Sequence, residues 1–75
     1  MKKQETILEV FKTTVNCLKD SDNILKTFSK EYPDCKVNFD LEDCDNILRF
    51  EGFGFQKESI IIHLKNLGFE CEALQ

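Results

Sequence analysis

The sequence predicts an α+β domain whose secondary-structure elements follow the order β-α-β-β-α-β. Residues 36–41 and 69–74 alternate apolar and polar side chains with the two-residue period of a half-buried strand. Residues 21–32 and 57–67 instead repeat apolar side chains at the spacing of an amphipathic helix. The chain has 75 residues, which is enough for a single domain spanning 1–75 and too few for two.

The first half of the chain is expected to contain one strand and one helix. Residues 6–15 are rich in β-branched and aromatic side chains, which favours a strand with Phe11 facing inward and Lys12 outward. A loop is predicted at 16–20, after which Asp20 or Ser21 should cap the helix. Pro33 should end that helix because proline cannot continue the hydrogen-bond ladder. The predicted apolar face comprises Ile24, Leu25, Phe28 and Tyr32.

The second half is expected to contain a hairpin, a helix and a last strand. Strands at 36–41 and 47–51 flank a polar turn at 42–46. A helix at 57–67 should end before Gly68, which stands where a helix end favours a left-handed residue. Residues 69–74 form the last strand. The predicted inward side chains of the hairpin are Val37, Phe39, Leu41, Leu48 and Phe50, and those of the helix are Ile60, Ile61, Leu64 and Leu67.

This element order predicts a ferredoxin-like sandwich. In that arrangement two helices cover one face of a four-stranded antiparallel sheet, and both crossovers are right-handed. The first hairpin strand, residues 36–41, then lies at an edge of the sheet.

Composition limits the partners and the compartment. The chain carries 10 Lys and Arg residues against 14 Asp and Glu, a net charge of −4 that repels phosphate backbones. Nucleic acid and anionic membranes are therefore not expected as partners. No apolar run approaches the ~20 residues of a membrane-spanning helix, and residues 1–5 lack the features of a signal peptide. We therefore expect a cytoplasmic protein.

The four cysteines, Cys17, Cys35, Cys44 and Cys71, are expected to be free thiols in a reducing compartment. Their spacing contains no CxxC motif. Without such a motif, each is most simply interpreted as a small hydrophobic side chain that is buried or half-buried.

Three segments resemble a known family. The first strand reads VFK at 10–12, the second reads VNFDL at 37–41, and residues 60–70 read IIIHLKNLGFE. Together they are similar to the heavy-metal-associated domains, the family of small copper chaperones and of modules in metal-transporting ATPases. The resemblance covers nearly the whole chain and implies the ferredoxin-like fold.

The loop after the first strand departs from that family. Heavy-metal-associated domains bind Cu(I) through a CxxC motif in this loop, where two thiolates hold one soft ion. Cys17 stands near the first ligand position, but Asp20 occupies the position three residues on, and a carboxylate is a poor ligand for Cu(I). The resemblance therefore implies the fold without the metal activity. We expect a small binding module with a protein partner or a second copy, in a metal-independent interaction or regulatory role.

A rearranged thiol site is the alternative. In this topology Cys17, Cys44 and Cys71 would lie at one end of the sheet near Asp20, and such a set could hold Cu(I) or Zn(II). Against this, the edge strand lies roughly 10 Å from the first strand, and metal–sulfur bonds of ~2.3 Å leave no slack. No other cofactor is expected. His63 lies on the second helix, away from this end, as a surface or flank residue.

RNA binding and catalysis are not expected. The GFGF run at 52–55 resembles the middle of an RNA-recognition motif, but Glu51 stands where that motif needs a basic residue. An outward Phe11 available for base stacking would also bury Lys12. Arg49 and His63 are the chain's single arginine and histidine, and neither is paired with a nucleophile by any motif, so no enzymatic activity is expected.

Overall fold

The protein folds as a four-stranded antiparallel sheet with two helices, in the β-α-β-β-α-β order expected from the sequence. The computed structural model describes residues 6–42 and 45–74. The elements are β1 (Ile7–Thr13), α1 (Leu18–Glu31), β2 (Lys36–Asp40), β3 (Ile47–Gly52), α2 (Lys57–Asn66) and β4 (Cys71–Leu74). The strand order β2-β3-β1-β4 places β2 and β4 at the edges, which confirms the ferredoxin-like topology.

The register of β1 sets the two faces of the sheet. Phe11 lies opposite Leu48 of β3 and Ala73 of β4, and it is fully buried on the side of the helices. Its neighbour Lys12 is exposed on the opposite side, hereafter the open face. The predicted orientation of both residues is therefore confirmed.

Phenylalanine rings join the helices to the sheet. Phe28 of α1 stands edge-on to Phe50 of β3, with 5.3 Å between ring centroids. Phe55, in the segment before α2, packs against the same Phe50 ring at 4.6 Å. Edge-to-face and tilted pairs of this kind stabilise a core beyond the area they bury. The buried cluster comprises Phe11, Val15, Ile24, Phe28, Leu48, Phe50, Ile60 and Leu64.

Helix α1 begins earlier than predicted. Its first residue is Leu18 and its N-cap is Cys17, so the expected loop at 16–20 and the expected cap at Asp20 or Ser21 are wrong. Ser21 is a buried residue inside the helix, where its hydroxyl donates to the Leu18 carbonyl at 3.0 Å. Its backbone N–H bonds to the Cys17 carbonyl at 3.1 Å. Because the Ser21 hydroxyl is already hydrogen-bonded within the helix, Ser21 does not act as the N-cap.

The remaining differences lie at element ends. Leu67 was expected in the core but is 44% exposed, because α2 ends at Asn66 and the chain turns away there. Gly68 has φ of +95°, which confirms the predicted left-handed helix end. The last strand begins at Cys71, two residues later than expected, and Leu41 lies beyond β2.

A close approach between two chain segments depends on Gly52, the last residue of β3. A Cβ atom at this position would lie 2.6 Å from Cys35 Sγ and 3.0 Å from Cys35 Cα. The backbone contact cannot be relieved by turning a side chain, and φ of +157° also favours glycine. Gly52 therefore lets the connection between α1 and β2 pack on the end of β3.

We expect Gly52→Ala to lower the free energy of unfolding by about 2–3 kcal/mol, because the methyl group forces the Cys35 backbone away. Gly54→Ala is the matched control, since Gly54 also has positive φ but a Cβ atom added there would have no neighbouring atom within 4 Å. Urea unfolding should show a loss of only about 1 kcal/mol for that control. Equal losses in the two variants would contradict the role of the Cys35 contact.

Candidate functional site

The end of the sheet where β1 leads into α1 is the first candidate site. The Thr13 N–H donates to the Asp45 carbonyl at 3.2 Å, and the Thr14 N–H donates to the Glu70 carbonyl at 3.0 Å. The first β–α connection, the end of the hairpin turn and the α2–β4 junction therefore meet here. This is the arrangement that the predicted topology required.

A buried threonine fixes this end. The Thr13 hydroxyl donates to the Asn46 carbonyl at 2.7 Å and accepts from the Val15 N–H at 3.2 Å. Thr14 makes a similar link on the exposed side, where its hydroxyl accepts from the Glu70 N–H at 3.0 Å. These hydrogen bonds therefore connect the end of β1 to the hairpin turn and to the α2–β4 junction.

We expect Thr13→Val to lower the free energy of unfolding by about 1–3 kcal/mol, because Val15 N–H and the Asn46 carbonyl lose their partner while shape is conserved. Thr13→Ser keeps the hydroxyl and should lose less than about 1 kcal/mol. Chemical denaturation of both variants checks this. A serine variant as unstable as the valine variant would show that packing, and not hydrogen bonding, is the cause.

The thiols predicted as candidate ligands have different environments. Cys17 is exposed at the N-cap of α1, whereas Cys71 is half-buried on β4, opposite Thr13. Burial raises the pKa of the Cys71 thiol to about 11, which keeps it protonated at neutral pH. Cys35 lies against Gly52 and Phe53, where its Sγ contacts the Phe53 carbonyl at 3.6 Å. The predicted candidate Cys44 lies outside the described residues.

No group of three or more His, Cys, Asp or Glu side chains is placed to hold a metal ion within residues 6–42 and 45–74. Asp20 lies in the first turn of α1, three residues after Cys17. Both remain hypothetical ligands. The described candidates of the rearranged site are thus the exposed thiol of Cys17, the half-buried thiol of Cys71 and the carboxylate of Asp20, which do not form a group that could hold an ion.

His63 contacts aromatic rings between the two helices. Its ring lies edge-on to Phe28 at 5.8 Å and to Tyr32 at 5.9 Å. This agrees with the predicted flank position but adds a packing role that the sequence pattern did not indicate.

Burial is the main cause of the raised pKa of Tyr32, and the charge of Glu31 adds to it.

Alkylation of the reduced protein should separate the two thiols at this end. At pH 8 we expect Cys17 to react with iodoacetamide at least about tenfold faster than Cys71, because the thiolate is the nucleophile. The rate at Cys71 should rise as pH approaches its pKa of about 11, where the thiolate forms. Peptide mass spectrometry resolves the two sites. Equal rates at pH 8 in the folded protein would contradict the assigned burial of Cys71.

The open face of the sheet is the second candidate site. Val10 of β1 lies opposite Leu74 of β4, and Leu8, two residues before Val10, lies on the same face of the sheet. Leu8 is 56% exposed and Leu74 is 38% exposed. We call these three residues the open-face patch. The sequence-based prediction did not include it, although the alternation of Leu8 and Val10 with Glu9 was a signal.

Charged side chains surround the open-face patch. Arg49 of β3 lies opposite Val10, and Glu51 lies opposite Leu8. Arg49 also approaches Asp40 at 3.8 Å, and Lys12 approaches Asp45 at 3.9 Å. Each of these exposed ion pairs adds only about 0–1 kcal/mol to stability. Their arrangement leaves an apolar centre with charges of both signs at its border, as in many protein interfaces.

Comparison with known proteins gives no match: no family model, no curated protein and no solved structure corresponds to this chain. None of the described helices is long and apolar enough to cross a membrane.

Proposed function

We propose that this chain is a metal-independent protein-interaction module on a scaffold like that of the heavy-metal-associated domains. The resemblance of residues 10–12, 37–41 and 60–70 supports the scaffold, together with the ferredoxin-like topology. Asp20 stands in α1 where the family has its second thiolate, which supports the loss of the metal role.

The open-face patch is the observation that carries this proposal. Its three residues, Leu8, Val10 and Leu74, lie side by side on the face that has no helices. Apolar side chains next to charges of both signs suit a protein surface, where apolar contacts provide affinity and the border provides selectivity. The net charge of −4 disfavours a phosphate backbone as the ligand.

The placement of the phenylalanines also supports a protein partner over RNA. Modules that bind RNA on this kind of sheet stack bases on aromatic rings of the open face. Here Phe11 and Phe50, on the two central strands, are fully buried on the side of the helices. The described strands offer aliphatic side chains on the open face instead.

A soft-metal carrier is the second candidate, favoured by the exposure of Cys17 at the start of α1. Anaerobic titration with Cu(I) and Zn(II) against a calibrated competitor distinguishes the two. Tight one-to-one binding that Cys17→Ser abolishes would favour the carrier and overturn the metal-independent proposal.

The matched pair Leu8→Lys and Ile62→Lys tests the interaction module. Leu8 is 56% exposed in the open-face patch, and Ile62 is 57% exposed on α2, so the two variants have the same charge change at equal exposure. We expect Leu8→Lys to weaken binding of the partner at least about tenfold and Ile62→Lys to leave it unchanged.

The measurement is quantitative affinity capture from cells of the source organism, followed by titration of each candidate with the purified chain. Circular dichroism confirms that both variants fold. A set of captured proteins that is identical for the wild type and for Leu8→Lys would overturn the proposal.

A further inference from the structure

The strand β2 has an unpaired edge. It pairs with β3 on one side, and no strand of the described part of the chain lies on its other side. The outer edge of such a strand presents backbone N–H and C=O groups that another strand can pair with. The sequence of β2, from Lys36 to Asp40, determines which strand fits best.

That sequence, KVNFD, is complementary to itself when it is paired antiparallel about its centre. A two-fold axis at Asn38 places Lys36 of each copy opposite Asp40 of the other, so that opposite charges meet twice. It also places Val37 opposite Phe39, an aromatic and β-branched pair of the kind that stabilises antiparallel sheets. Asn38 meets its own counterpart, and two amides can bond to each other.

The faces of the sheet agree with this register. Lys36, Asn38 and Asp40 lie on the open face, whereas Val37 and Phe39 pack against the core. Paired residues of an antiparallel sheet share a face, so a two-fold pairing must match open-face residues with open-face residues. A shift by two residues would leave only three pairs and lose both Lys36–Asp40 contacts. The register centred on Asn38 is therefore the one that uses the whole strand.

The surroundings of the edge favour the same partner. Phe39 is only half-buried, and its outer side would be covered by Val37 of a second copy. A groove runs beside the edge towards α1, where Leu18 is 73% exposed. Its apolar lining consists of Leu18, Leu25, Phe39 and Leu41. The second copy would therefore cover apolar surface as well as free backbone groups.

Charged side chains of β3 extend the alternation of positive and negative charges beyond β2. Lys36 lies opposite Glu51 of β3, and Asp40 approaches Arg49 at 3.8 Å. Across the joined edge, the row would then place Glu51 and Lys36 of one copy beside Asp40 of the other. The opposite edge lacks this property, because Glu72 is the only charged residue of β4 and no basic side chain of that strand can pair with it in a second copy.

We propose that two copies of this chain associate edge to edge through β2, in antiparallel register about Asn38. Four strands from each copy then form one continuous sheet. A two-fold axis perpendicular to the sheet leaves both open-face patches on the same side, as a bivalent surface. The pairing does not depend on the open-face patch and stands or falls separately from the proposed interaction function.

Two charge reversals test the pairing. The reduced wild-type chain is expected to form dimers as its concentration rises from about 10 μM to about 1 mM in sedimentation equilibrium. Lys36→Asp puts Asp opposite Asp in both contacts, and Asp40→Lys puts Lys opposite Lys. We expect each variant alone to associate at least about tenfold more weakly than the wild type.

The equimolar mixture of these two variants is the decisive sample. The mixed dimer consists of one Lys36→Asp copy and one Asp40→Lys copy, and their charges compensate in both contacts. The repulsion that each variant meets alone is therefore relieved. In one contact, the Asp introduced at position 36 of the first copy lies opposite the Lys introduced at position 40 of the second. In the other contact, Asp40 of the first copy lies opposite Lys36 of the second. We expect the mixture to regain association to within about threefold of the wild type. A wild-type chain that stays monomeric over this range, or a mixture no better than either variant alone, overturns the proposal.

Two control variants show which surface of the chain forms the contact between copies. Glu72→Lys changes the charge of the other edge strand and should leave dimerisation unchanged, as should Leu8→Lys on the open-face patch. Loss of the dimer in Glu72→Lys would place the contact on β4 and overturn the pairing through β2. All samples contain reductant, because Cys17 is exposed and an intermolecular disulfide would mimic association.

Discussion

The burial of Phe11 between β3 and β4 is the constraint on which the rest of the structure depends. Side chains alternate along a strand, so a slip of β1 by one residue would expose Phe11 and bury Lys12. Fully burying a Phe contributes about 1.5–3 kcal/mol, whereas an unpaired buried ammonium costs several kcal/mol. Both terms favour the observed register. Val10 is thereby placed on the open face, and Thr13 is placed at the end of β1, where it bonds to the hairpin turn.

The element order and most of the inward residues could be predicted because each rests on a long pattern or a strong breaker. Val37 and Phe39 alternate with polar residues over the whole of β2, and Pro33 excludes a longer first helix. Gly68 marked the end of α2 because few other residues adopt its positive φ. These signals are local, so neither the sheet register nor the packing of distant segments is needed to recognise them.

The start of α1 and the role of Gly52 could not be predicted in the same way. Ser21 resembles a cap in sequence, and only its burial in the folded chain shows that it is an interior residue. Gly52 lies in the GFGF run, and nothing in that run indicates that Gly52 packs closely against Cys35, a residue that precedes β2. The open-face patch was missed for a related reason: Leu8 and Leu74 become neighbours only through the pairing of β1 with β4.

The hydrogen bonds at the end of the sheet fix the junction where β1 leads into α1. Thr13 and Thr14 tie the end of β1 to Asp45, Asn46 and Glu70 through backbone and hydroxyl groups. Here one candidate thiol, Cys17, faces solvent, and another, Cys71, is half-buried with a raised pKa. The sheet presents aliphatic side chains on its open face and, at one edge, the strand β2 with the sequence KVNFD. Both are properties of the sheet, which the burial of Phe11 holds in register.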